Sequence, residues 1–132
     1  MDQKLSPYAP ILLRFTLVLV YAYFGISQLT NPEAWTSLVP SWASELTGLS
    51  PTLLVYSNAS FEVVASLLLL LGIFVRPVAL LLFAHLIVIA SGFGLSPTGV
   101  RDFGLSFSTL ALAFFGQDKW CLYPKNTNAS RV

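Results

Sequence analysis

Six residues able to hydrogen-bond a ligand or move a proton stand in otherwise apolar sequence: Gln28, Asn58, Glu62, His85, Arg101 and Asp102. Glu62 is the strongest of them. It lies about ten residues into an apolar run, ~15 Å along a helix from its start, where an acid is costly and by default marks a functional site. Asn58 and Ser66 flank it four residues either way and share its helical face. A carboxyl group so placed can hydrogen-bond a ligand or exchange a proton with it; the structural alternative is that it only ties helices together. His85 comes eight residues after Pro77, ~12 Å along the next helix. Its level differs from that of Glu62 by several ångströms, which leaves a direct bond between them open. It is the only histidine, beside a single cysteine, so no metal or haem site built from the protein alone is expected.

Arg101 and Asp102 are neighbours, and adjacent residues on a helix point about 100° apart, so one can face the protein and the other water. Asp102 is also favourable near a helix N-terminus without any function. Arg14, Val18, Tyr21, Gly25 and Gln28 recur at helical spacing, which puts Arg14, Tyr21 and Gln28 on one face turned to protein rather than lipid. Arg14 lies about one turn from the start of its run, where its stem can also snorkel to the membrane surface. Together these residues form a polar set drawn from four segments, most of it at one end.

The elements that must position this set are long and apolar. From Phe61 to Ile89 only Glu62, Arg76 and His85 can carry charge. As one helix this stretch would run roughly 43 Å, against a hydrocarbon core of ~30 Å, so it must fold back. Pro77 disfavours helix at the residue before it and is tolerated at the first position of a new one, which places the turn at Arg76-Pro77. The chain is therefore expected to be all-α, an integral membrane four-helix bundle with spans at 11–30, 52–75, 77–93 and 101–117. Together these make a transmembrane domain of residues 11–118. A polar arm (1–10) precedes it and a cytoplasmic tail (119–132) follows.

Segment 31–51 holds Trp35, Trp42 and three prolines, and reads as short helices lying in the membrane interface. Asn31-Pro32-Glu33 has the order of a helix start, with a capping side chain, a proline and an early acid. A lid over a site is the alternative. Asp102, Ser106, Thr109, Ala113 and Gly116 make a stripe of small and polar residues on the fourth span, a pattern of close helix packing. Lys4, Arg76, Lys119, Lys125 and Arg131 fall on one side and Arg101 on the other, which predicts that both termini are cytoplasmic.

Composition narrows the function. The 132 residues are 55% hydrophobic and 10% charged, with a mean hydropathy of +0.74, whereas about a quarter of a soluble domain is charged. A net charge of +1 without a basic stripe excludes nucleic acid as a partner. One cysteine, Cys121, excludes a paired-thiol mechanism. No small-residue cleavage site follows the first run, which is expected to remain as an anchor.

Several stretches resemble the DoxX family of small bacterial and archaeal membrane proteins. They are Arg14, Phe24-Gly25 and Gln28-Leu29 in the first span, Phe61-Glu62 in the second, Leu71 to Pro77 at the turn, His85 in the third and Arg101-Asp102-Phe103 in the fourth. The family often has lysine where Gln28 stands, so no Lys–Glu pair is carried over. The resemblance implies a multi-pass protein of the prokaryotic plasma (inner) membrane. It also implies a link to membrane oxidoreductases, to quinone or aromatic-compound detoxification and to redox stress.

The expected function is binding of a quinone or similar lipophilic molecule, with no covalent cofactor, as an accessory subunit rather than a self-contained catalyst. Its partners would be the bilayer, a membrane or peripheral oxidoreductase, and further copies of itself. Glu62 would bond the ligand or exchange its proton, with Arg101 and His85 shaping the field and Tyr21, Tyr23 and Phe24 forming aromatic wall. The alternatives are a non-catalytic membrane scaffold for partner proteins and a small transporter.

Overall fold

The computed structural model describes residues 6–123, so the start of the expected arm and residues 124–132 of the expected tail lie outside it. Every regular element among the described residues is a helix, without strands. After a short 3₁₀ turn at Ser6–Tyr8 come α1 (Ala9–Thr30), α2 (Glu33–Thr36), α3 (Ser41–Thr47), α4 (Pro51–Leu71), α5 (Val75–Phe93) and α6 (Pro97–Phe115). Three of these, α1 with its preceding turn, α4 and α5, are long and apolar enough to cross a membrane. The four long helices pair as α1 with α4 and α5 with α6; α4 then meets α5, and α6 meets α1.

The same five residues, Gly-Leu-Ser-Pro-Thr, lead into α4 at 48–52 and into α6 at 94–98, the last two of each already in the helix. The physical reason is the helix start. Ser50 accepts from Leu53 N–H (3.3 Å) and Ser96 from Gly99 N–H (3.1 Å), while Pro51 and Pro97 occupy the first helical position, where no N–H is needed. This start places α6 at Pro97, four residues ahead of the expected 101, and ends it at Phe115 rather than 117. Arg101 and Asp102 therefore stand in its second turn.

The turn between α4 and α5 also differs from expectation. Helix α4 ends at Leu71, not 75, because Gly72 takes the left-handed conformation (φ 71°) that closes a helix and Phe74 (φ 51°) follows it there. Helix α5 then starts at Val75, and Pro77 falls at its third position, where an N–H is likewise not required. Gly72 has a second constraint, since an added Cβ would lie 2.5 Å from Cys121 Cα. The segment after α6 packs on this turn, and Leu122 N–H bonds Leu71 C=O (3.1 Å). Asn31 caps no helix through its side chain, because α2 begins after Pro32 and Asn31 closes α1 instead.

The expected face of α1 is the buried one: Arg14, Val18, Tyr21, Gly25 and Gln28 are all buried. On α6, Asp102, Ser106, Thr109 and Ala113 face inward while Phe103, Phe107, Phe114 and Phe115 lie outside. The apolar core of Leu17, Leu69, Val75, Leu82 and Leu112 fills the end nearest the α4–α5 turn.

Candidate functional site

At the other end, where α4 and α5 separate, the helices enclose a cavity of about 450 Å³. It is lined by seven of the eight residues that the sequence singles out: Tyr21, Gln28, Asn58, Glu62, His85, Arg101 and Asp102. Aromatic wall comes from Phe24, Phe61 and Phe93, and Trp35 of α2, Leu38 of the α2–α3 turn and Trp42 of α3 close it from above. The interfacial segment thus covers the site, as the lid alternative has it. Tyr23 lies on the outside, 68% exposed, and forms no wall; its register on α1 points it away from the inward face.

A chain of hydrogen bonds runs along the cavity and connects three helices. Gln28 Nε2 of α1 donates to Glu62 Oε2 of α4 (3.2 Å), and Asn58 Nδ2 donates to Gln28 Oε1 (2.7 Å). Asn58 Oδ1 meets Nε2 of His85 on α5 at 2.6 Å. Glu62 and His85 are therefore linked through two amides rather than directly. Phe61 lies against the imidazole, ring centroids 4.7 Å apart.

From α6, Arg101 Nε donates to Asp102 Oδ1 (2.8 Å), with the arginine half-exposed and the aspartate buried. The guanidinium also covers the Phe24 ring at 5.0 Å. Tyr21 O–H bonds Thr109 Oγ1 (2.8 Å) and ties α1 to α6 beneath the site. Within this set Glu62 has no cation in ion-pair range among the described residues. A buried carboxyl group without a cation partner, held by side-chain amides at the wall of an aromatic cavity, can hydrogen-bond a ligand or exchange a proton.

Arg14 does not join this group. It is completely buried near the opposite end, so it does not snorkel, because its partners are within the protein. Its Nε and Nη2 grip Asp118 (2.7 and 3.1 Å), and Nη1 donates to the carbonyls of Leu69 and Leu70 (2.6 and 3.0 Å) at the end of α4. Burial alone would raise the Asp118 carboxyl, but hydrogen bonds from Arg14 and Trp120 N–H, with the arginine charge, hold it below its ordinary value. Burial pushes the neighbouring Cys121 thiol up. Asp118 is the residue that sequence reasoning missed. It follows the last helix, 104 positions from Arg14, and no periodic signal connects the two.

A family model described as DoxX matches residues 9–94, from the start of α1 to the end of α5. No curated protein and no solved structure matches the chain.

Proposed function

The chain belongs to the DoxX family, and from that premise we propose that it is a four-span protein whose cavity binds a quinone or similar lipophilic molecule in support of a membrane oxidoreductase or redox-stress system. The observation that carries this reading is the cavity itself, apolar and aromatic on its walls, with Glu62, Gln28, Asn58 and His85 at one place within it. Ser57, Val88 and Gly92 line it between α4 and α5 and are also exposed, giving a lipophilic ligand a sideways entry from the bilayer.

Helix α6 serves as the fourth span. Its low hydropathy comes from the inward polar stripe, while its outer face of phenylalanines suits lipid. The Lys and Arg distribution favours cytoplasmic termini in a prokaryotic inner membrane. A scaffold role is the second reading, favoured by the way one hydrogen-bond chain ties α1, α4 and α5 together.

Gly92 separates the two. A Cβ there meets nothing within 4 Å, so Gly92→Leu extends into free space at the cavity mouth and, in a helix, improves local propensity. Organic extracts of the protein purified in mild detergent should contain a quinone, in either redox state, in stoichiometric amount. Extracts of Gly92→Leu, with unchanged melting temperature, should contain several-fold less. Equal or negligible quinone in both preparations would favour the scaffold.

A further inference from the structure

Charge is unevenly divided between the two ends of the molecule. Among the described residues the packed end holds Arg14, Arg76 and Lys119 against Asp118, whereas the cavity end holds Glu33, Glu45, Glu62 and Asp102 against Arg101. Inside the cavity the count is also one-sided. Arg101 and Asp102 pair at 2.8 Å, so their charges match one for one. His85 meets an amide oxygen rather than an acid. Glu62 is the acid left over: it is 5% exposed, held by the neutral amides of Gln28 and Asn58, and has no cation in ion-pair range among the described residues.

An ionised carboxyl buried without a counter-charge is costly. A cation brought beside it supplies that charge and favours the ionised form. The walls decide what kind of cation fits. A metal ion needs a cage of oxygen or nitrogen ligands, and no group of three or more His, Cys, Asp or Glu among the described residues can provide one. The cavity offers rings instead: Tyr21, Phe24, Trp35, Trp42, Phe61 and Phe93. Aromatic faces attract organic cations, most strongly where water is excluded. One of these rings already does so, since the Arg101 guanidinium lies over Phe24 at 5.0 Å. Above the cavity, α2 and α3 carry Glu33 and Glu45 and no Lys or Arg, which adds a field that draws cations in.

We propose that the cavity takes a lipophilic organic cation, an ammonium group on an apolar body, with Glu62 as its counter-ion and the aromatic wall around its alkyl groups. This rests on the cavity reading above and adds a second ligand class at the same place. The apolar body occupies the remainder of the roughly 450 Å³ and reaches the bilayer through the gap beside Gly92.

The test uses the full chain in nanodiscs of zwitterionic lipid at pH 8 and two probes of one shape, a phenylhexyl trimethylammonium and its uncharged tert-butyl isostere, with a decyl quinone as the third. Affinities are measured calorimetrically against empty discs. The ammonium should bind roughly tenfold tighter than its isostere, the scale of a desolvated cation–π contact with a counter-ion beside it. Glu62→Gln keeps the shape and removes the charge, and should bring the two probes to within about threefold of each other. Should this variant not fold, the affinities of the unaltered protein still decide. An isostere that binds as tightly as the ammonium, a preference that survives Glu62→Gln, or binding of the quinone alone overturns the charge argument and leaves the cavity reading standing. Absence of binding by all three overturns both.

Discussion

Burying a guanidinium is costly unless its donors are used, and Arg14 uses three of its nitrogens at once: two on Asp118 and one on the carbonyls ending α4. The residue thereby neutralises the negative end of a helix and anchors the chain that follows α6. Asp118→Asn leaves a buried cation with half a partner and should cost about 3–5 kcal/mol at pH 7. The pH dependence has a definite sign. Because Asp118 titrates below its ordinary value of 3.8 when folded, its contribution is complete above that value and lost as the pH falls through the lower, folded one. Thermal melts in detergent should therefore show a gap between Asp118→Asn and the parent that is constant from pH 7 to 5 and narrows below 3.8. A gap that stays constant below 3.8 as well would show that the carboxylate charge is not what Arg14 needs. The sequence shows Arg14 on the correct face but not at the correct depth. Fourteen residues separate it from Gln28, ~21 Å along the axis, so two residues on one face serve opposite ends of the molecule.

At the scale of elements, α1 and α4 approach closely at Gly25. A Cβ on Gly25 would lie 2.8 Å from Val63 Cγ2 and 3.2 Å from both Ala59 O and Val63 N. The methyl group can rotate away, but the two backbone atoms cannot without moving the helix. Gly25→Ala should destabilise by about 1–3 kcal/mol despite its better helix propensity. Val63→Ala should restore part of the loss, making the double variant less damaged than the sum. The displacement would be felt at Gln28, one turn further on, so ligand affinity should fall along with the melting temperature. Full additivity in a double-mutant cycle would contradict this packing. Helical periodicity reveals such an interface, since the buried stripe on α1 is plain in the sequence. It does not reveal the boundaries as well, because caps and local conformation decide them: Gly72 ends α4 before Pro77 has any effect, and Ser96-Pro97 starts α6 before its first charge. The repeated Gly-Leu-Ser-Pro-Thr is the signal that locates both starts.

For the whole molecule, the division of labour is between two ends. The end with the α4–α5 turn is packed solid by apolar side chains and locked by Arg14 and Asp118, whereas the other end holds a cavity under α2 and α3. Seven of its polar residues can be picked from the sequence because ionisable and amide groups are rare in apolar helices. The roof is harder to foresee, since Trp35 and Trp42 suit a membrane interface equally well without covering anything. A molecule so divided makes a specific demand on its orientation in the membrane. With Arg76 and Lys119 at the packed end and Arg101 at the cavity end, the cavity should open toward the outer leaflet. Leu95, 97% exposed in the α5–α6 loop, and Tyr123, 68% exposed at the packed end, report on the two sides. Cys121 is buried and gives a quiet background. Leu95→Cys should react with a membrane-impermeant maleimide in intact cells, and Tyr123→Cys only after lysis. The reverse pattern would turn the cavity to the cytoplasm, and labelling of both from outside would show that α6 does not cross, because α6 is the one long helix between the two positions and only an odd number of crossings keeps them on opposite sides.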